Sequence, residues 1–391
     1  MERERAYLDH NATSAVKPEV AQAVARALVE LPGNPSSIHR EGRAARAAIE
    51  AARARVAGLV GAEASRVAFT SGGTEASNAV LSGALRRRGL PAPTRLLIGA
   101  TEHPCGLQGH GFTPDATEIL PVDADGVLRL DVLEARLATL AGEGVTALVS
   151  VQAANNETGV VQPLARVAAL TCQHGALLHT DAVQAAGRIS IGRNIFPADA
   201  VTLSGHKLGG PKGVGAIVLG EGAGLEPAFI RGGGQEARLR AGTENLPGIV
   251  GFGLAAELAI AALPEEAVRL AALRDGIAAG VRARAPEAVV FGEGAERLPN
   301  TLCFAVPGLK AETALIALDL DGVAVSSGAA CASGKVSRSG VLAAMGVESA
   351  LSAGALRVSL GWNSRQDDGE RFLAAFDRLV SSLYKRRERA A

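Results

Sequence analysis

The sequence predicts an α/β fold with a mainly parallel sheet, and two observations carry that prediction. Short runs rich in Val, Leu and Ile recur at Arg66–Thr70, Arg95–Ala100, Val145–Gln152, Ala176–Thr180, Ala200–Leu203 and Val214–Leu219. Stretches with helical spacing separate several of them, notably Glu75–Arg87 and Leu164–His174. Strands that alternate with helices pair in parallel, because each helix is the crossover between neighbours.

Two further helices precede the first strand. Pro18 opens one, with Val20, Val24 and Leu28 on a stripe, and Ile49, Ala52, Val56 and Leu59 mark the second. After about Leu263 the texture changes. A helix over Glu265–Arg284 precedes strand-like Val289–Phe291 and Thr301–Val306, then helices near Glu312–Leu318 and Asp367–Tyr384. This reads as a smaller α+β domain with a boundary near Pro264. The expected division is a large domain over 15–263 and a small one from 1–14 and 264–391.

The chain has 391 residues, 48% of them hydrophobic, with 40 basic and 40 acidic side chains. Zero net charge argues against a nucleic-acid binder, and the apolar content argues against disorder. The four cysteines, 105, 172, 303 and 331, show no CxxC pair, so neither a disulfide framework nor a metal site is expected. The charged start Met1–Arg5 has no apolar core of a signal peptide, and the apolar run Gly248–Leu263 is shorter than the ~20 residues of a membrane span. The expected setting is cytoplasmic, with no membrane.

Five segments carry chemistry. Phe69–Glu75 runs from an apolar strand through Ser71, Gly72, Gly73 and Thr74 into a helix. It reads equally as an N-cap turn and as an anion cradle, and no GK[ST] follows to make it a Walker loop. Ser204-Gly205-His206-Lys207 follows another strand, where a desolvated lysine forms Schiff bases and Ser204 and His206 can hold a phosphate. Lys212 is its competitor, in a context more like a turn. Asp181 ends a buried run, as a helix cap or as the partner of a cation such as a pyridinium nitrogen. Asp181 and Lys207 end successive strands, so a parallel sheet puts both on one rim. Cys331 sits in the small polar stretch Val325–Lys335, a better nucleophile candidate than Cys172 or Cys303. Arg357 lies in a strand-like alternation, as a carboxylate clamp or an edge ion pair. Gly251-Phe252-Gly253-Leu254-Ala255-Ala256 fits a loose dinucleotide pattern but lacks a preceding strand, so helix packing is expected there. His103 and Cys105 are too few for a metal site.

Taken in order, these segments resemble the cysteine desulfurases of the aminotransferase class V family. Tyr7–Ser14, Gly33–His39, Gly42-Arg43, Ser71–Glu75, Thr101–His103, Asn155–Gly159, Asp181 with Gln184, Ser204–Lys207, Arg231–Glu236, Arg240–Asn245, the Cys331 segment and Arg357 together span nearly the whole chain. The resemblance implies a pyridoxal 5'-phosphate enzyme of fold type I, with helices on both faces of a seven-stranded type of sheet. It implies that Lys207 holds the cofactor as a Schiff base, Asp181 pairs its ring nitrogen, and Gln184 and Asn155 contact the ring-hydroxyl side. His103 would stack on the ring and move protons. Gly73, Thr74, Ser204 and His206 would hold the phosphate, with Thr243 reaching it from the partner of a homodimer. Arg357, Asn34 and Asn155 would bind the substrate.

The implied reaction converts L-cysteine to L-alanine and leaves a persulfide on Cys331, for delivery to a sulfur-acceptor protein such as an iron–sulfur scaffold. The segment after Val325 resembles the long-loop group. Selenocysteine lyase, cysteine sulfinate desulfinase and other class V activities share Lys207 and Asp181. Cys105 and Gly361-Trp362-Asn363 depart from the common pattern.

Overall fold

The computed structural model describes residues 5–192, 197–327 and 338–390. The candidate nucleophile Cys331 and the adjacent Lys335 lie outside them.

The central sheet has seven strands, here β1 Val67–Thr70, β2 Arg95–Gly99, β3 Thr117–Leu120, β4 Ala147–Ser150, β5 Leu177–Asp181, β6 Ala200–Ser204 and β7 Gly215–Leu219. Their spatial order is β3-β2-β4-β5-β6-β7-β1. The pairs from β3 to β6 are parallel, and β7 runs antiparallel to both β6 and β1. β2, β4 and β6 are buried along nearly their whole length, as strands covered on both faces must be. The less apolar β3, Thr117-Glu118-Ile119-Leu120, escaped the hydrophobic pattern because it lies at the sheet edge with Ile119 exposed.

The helix α1, Pro18–Glu30, starts on Pro18, and α2, Arg40–Gly58, is capped by the His39 ring accepting from the Gly42 amide at 3.2 Å. Ala45, Ile49, Ala52 and Val56 form the buried stripe of α2. Each large side chain so buried contributes about 1.5–3 kcal/mol. The stripe of α1 differs from its expected course: Val20 is buried, but Leu28 and Val29 stand out in solvent and Ala27 takes the inner position.

Two expected helices change extent. Glu75–Arg87 divides into a helix over Gly73–Ala79, a wide turn over Val80–Ala84 that ends after Gly83 at φ 84°, and a strand Leu85–Arg87 paired with Ala223–Leu225. Glycine tolerates that positive φ and lets the chain leave the helix. The helix expected to start after Pro264 instead begins at Leu246 and runs unbroken to Arg284. It is thereby long and apolar enough to cross a membrane by composition, and half of its most apolar window is buried in the protein. Its first half packs on α1 and α2. A Cβ on Gly253 would lie 2.6 Å from Ala52 Cα, and one on Gly251 would lie 2.5 Å from Val24 Cγ2. The Gly-x-Gly pattern there serves close helix packing.

A second apolar cluster joins Ala6 and Leu8 to Leu270, Ile277 and Val281 of the long helix and to Phe304, Phe372 and Phe376. It lies on an antiparallel four-stranded sheet that carries Thr301–Ala305 beside Leu356–Ser359.

Candidate active site

The C-terminal ends of β2, β4, β5 and β6 and the turn after β1 open on one rim, where a parallel sheet places its ligands. A cavity of about 620 Å³ lies there. Gly73 and Thr74 follow β1, His103 and Cys105 follow β2, Gln152 and Asn156 follow β4, Asp181 and Gln184 come from β5, and Ser204, His206 and Lys207 from β6. Asp9, Asn11 and Ala12 come from the N-terminal segment, and Arg357 from the small sheet. The large group expected from sequence is thus brought together, while Lys212 does not line the cavity.

Lys207 occupies the last position of a single turn, Gly205–Lys207, directly after β6. Gly205 is required there, since a Cβ would meet Val214 Cγ1 at 3.0 Å and the Phe252 ring at 3.2 Å. The Lys207 ammonium donates to the carbonyls of Asn11 and Ala12, the latter at 2.8 Å. Burial, and then the Arg188 and Arg357 guanidinium groups, push it down to about 7. Asp181 ends β5, and its Oδ1 accepts from the Val183 amide at 2.9 Å. Burial holds its carboxyl above the usual range, against the pull of that amide and of His103 and Lys207. His103 opens onto the cavity with protein at its back. Burial and nearby Lys207 push it below the ordinary histidine range, and Asp181 opposes them. Its Nδ1 accepts from the Cys105 amide at 3.1 Å. His206 is pushed down to about 4, first by burial and then by Lys207 and Lys212.

The Ser204 hydroxyl is buried and has no hydrogen-bond partner among the described residues. Beside it, a Cβ on Gly73 would lie 3.0 Å from Val183 Cγ2 and 3.5 Å from Ser204 Cβ. An unpaired hydroxyl next to an enforced glycine at a strand end is a cradle for an anion.

Arg357 is only 5% exposed. Its Nη2 donates to Asp9 Oδ1 at 2.7 Å and its Nη1 to the Asn156 carbonyl at 3.1 Å, while its Nε is buried and unpaired. A guanidinium held in this way at a cavity wall can clamp a carboxylate.

Two expectations change in place. The Asn155 side chain does not line the cavity: its Oδ1 accepts from the Glu157 and Thr158 amides at 2.8 and 2.9 Å, and its Nδ2 donates to the Thr101 carbonyl at 3.0 Å. The carboxamide oxygen is committed to the turn, Nδ2 keeps one N–H, and the cavity lining includes Asn156 rather than Asn155. Asn34 and Thr243 lie together in a separate groove with Leu28, Leu31 and Pro247, sharing no residue with the cavity. The sequence reading also missed Asp9 as the partner of Arg357. It likewise missed Arg188, one turn beyond Gln184, whose only sequence signal was a cation close to the Asp181/Gln184 pair.

Glu157 sits behind Arg357 and accepts from Ser339 Oγ at 2.6 Å. Burial pushes its carboxyl up to about 7. Glu102 is fully enclosed and is raised well above the carboxylate range by burial.

Comparison with known proteins agrees with this geometry. The aminotransferase class-V model matches residues 6–372. A cysteine desulfurase of Cereibacter sphaeroides is 45% identical over 385 residues, covering 97% of each chain. The cysteine desulfurase IscS of Dictyoglomus turgidum is 38% identical, covering 98% of this chain and 96% of the relative. The X-ray structure of a NifS-like protein from Rickettsia africae superimposes with a TM-score of 0.86 at 32% identity, over 98% of this chain and all of the other. With a match that runs end to end and a cavity built from the same ordered motifs, the chain belongs to the cysteine desulfurases of the aminotransferase class V family.

Proposed function

We propose that the cavity binds pyridoxal 5'-phosphate and L-cysteine, and that the sulfur leaves as a persulfide on Cys331 while L-alanine is released. The observation that carries this is the meeting of Lys207, Asp181 and the unpaired Ser204 hydroxyl in one cavity with Arg357. The residues fit the cofactor. Lys207, pushed down to about 7, has a free amine near neutral pH to hold an aldehyde. Asp181 faces where a ring nitrogen needs an anion, and a cation there would favour its ionised form. Ser204, His206, Thr74 and Gly73 form the phosphate cradle. When bound, the cofactor supplies an electron sink for the substrate α carbon.

The other residues bind and move protons. Arg357, which lines the cavity, would clamp the substrate carboxylate, with Asp9 and the Asn156 carbonyl holding the guanidinium in place. His103, below its ordinary range, is a neutral base at pH 7 that can accept a proton. In the net reaction the Cys331 sulfur bonds to the cysteine sulfur as the substrate C–S bond breaks. The thiol proton ends on the carbon, giving alanine.

The Asn34–Thr243 groove, flanked by Leu28 at 66% exposure, supports a homodimer in which Thr243 serves the partner's cavity. The two apolar clusters support a large domain over 15–263 and a small domain from 1–14 and 264–391, joined by the helix through Pro264. The acceptor is a sulfur-receiving protein such as an iron–sulfur scaffold, in the cytoplasm.

A single turnover of the yellow holoenzyme with L-cysteine tests the reading. One alanine per site and an extra sulfur mapped to Cys331 are expected, and Cys331→Ala should stop both. Alanine release by Cys331→Ala at the wild-type rate would overturn it. Turnover of selenocysteine or cysteine sulfinate alone would move the chain to another class V activity.

A further inference from the structure

Gln184 and Arg188 lie four residues apart in the run of turns just beyond Asp181. Arg188 is 8% exposed. Its Nη1 donates to the Gln184 carbonyl at 2.8 Å and also to Gln184 Oε1, and its Nη2 donates to the His10 carbonyl at 3.3 Å. Among the described residues no carboxylate pairs with it, and the charged group that bears on it is another cation, Arg357. A buried arginine without an anion is expensive, so its three carbonyl-type acceptors must hold it.

The consequence for Gln184 is a matter of donors and acceptors. A guanidinium has only N–H groups to offer, so the carboxamide atom facing Arg188 has to be the oxygen. The other end agrees: Gln184 Nε2 donates to the Asn11 carbonyl at 3.0 Å, and that carbonyl also accepts from Lys207. The carboxamide is therefore held at both ends. Its remaining hydrogen-bonding capacity on the cavity side is the second N–H of Nε2, a donor.

We propose that Arg188 is a positioning residue for the cofactor site: by holding Gln184 Oε1 toward itself it fixes the carboxamide with Nε2, a donor, turned to the Lys207 side. The inference rests on the pyridoxal phosphate reading. A fixed donor favours an oxyanion over a hydroxyl on the ring it meets, and the unpaired guanidinium adds a positive charge on the same side. Arg188 and Lys207 also line a second, small cavity of about 50 Å³ together with Lys17 and Glu266, and the Arg188 charge bears on the lysine. Both effects favour loss of a proton near Lys207. Among the described residues the other charged and titratable groups around Lys207 are Arg357, Asp181, Asp9, His103 and His206 on the cavity side and Lys17 and Glu266 in the small cavity, and the test leaves all of them in place.

The experiment is a pH titration of the absorbance of the holoenzyme chromophore. In Arg188→Met the midpoint should rise by about one pH unit, the scale expected for a nearby charge and hydrogen bond. Arg188→Lys, which keeps a cation that can only donate, should return most of the shift. The further shift caused by Arg188→Met should be smaller in a Gln184→Met background than in wild type, since Arg188 acts in part through that side chain. Should Arg188→Met fail to fold, Arg188→Gln at similar size carries the same expectation of an upward shift. A midpoint unmoved in the folded Met or Gln variant overturns the inference and leaves the cofactor assignment standing. Wild-type protein that takes up no chromophore overturns both.

Discussion

Arg357 Nη2 donates to Asp9 Oδ1 at 2.7 Å, across 348 positions of sequence. The pair joins the small sheet to the N-terminal segment at the cavity wall and holds the Arg357 guanidinium there. A substrate carboxylate bound there makes charge-assisted hydrogen bonds worth about 1.5–3 kcal/mol. Arg357→Ala should therefore raise KM for cysteine at least about tenfold with a smaller change in kcat. Asp9→Asn, which keeps an acceptor but drops the charge, should raise KM by less. Steady-state kinetics decide the matter, and an unchanged KM in Arg357→Ala would remove the clamp from the site.

Lys207 is pushed down to about 7 by burial and neighbouring guanidinium groups, and on the proposed function it should set the pH dependence of cofactor loading. Only the free amine attacks an aldehyde. Chromophore formation in cofactor-free protein should accelerate up to about pH 7 and level off above it. A rate still climbing steeply at pH 9 would show an ordinary lysine. Lys207→Ala should hold no covalent chromophore at any pH.

Glu157 carries a stability cost that its neighbours do not fully offset. Its carboxyl rises from 4.5 to about 7, because burial outweighs the Ser339 hydroxyl and the Arg357 charge. The folded protein holds this proton more tightly than the unfolded chain, so the contribution is fully present below about pH 4.5 and is lost as pH rises through about 7. The loss amounts to roughly 3 kcal/mol at most. Glu157→Gln, which keeps an acceptor for Ser339, should match wild type near pH 5 and exceed it in Tm at pH 8. Melting curves at both values check this, and a variant equally destabilised at both would contradict it.

Cys105 lines the cavity, but burial first, and then Asp181, push its thiol up to about 12. A thiol that stays protonated is a poor nucleophile. At pH 8, alkylation followed by mass mapping should label the exposed Cys172 well before Cys105. Cys105→Ala should keep cysteine turnover within about twofold. Persulfide mapped to Cys105 after a single turnover would give this thiol a role in the sulfur path.

How much was legible beforehand follows from the range of each interaction. The parallel strands could be read from local apolar runs, because burial on both faces leaves an uninterrupted pattern. The shared rim of Asp181 and Lys207 followed from strand order alone. The wide turn at Val80–Ala84 and the passage of one helix through Pro264 were not legible, because each depends on packing that overrides local preference. Leu28 fitted the stripe of its helix and still faces solvent, since a stripe does not say where its helix ends against a neighbour.

By itself the sequence determined the α/β architecture, the strand ends that carry Gly73, Thr74, Asp181, Ser204 and Lys207, and the family. Those features are encoded within a few residues of each other, where spacing translates directly into geometry. Only the tertiary structure decided which side chains meet across the fold. It paired Asp9 with Arg357, committed the Asn155 carboxamide oxygen to its own turn while placing Asn156 at the cavity, and set Arg188 against Gln184 with no carboxylate paired to it among the described residues. The physical reason is that a hydrogen bond is satisfied by whichever partner the packed chain brings within about 3 Å, and no local pattern records that choice.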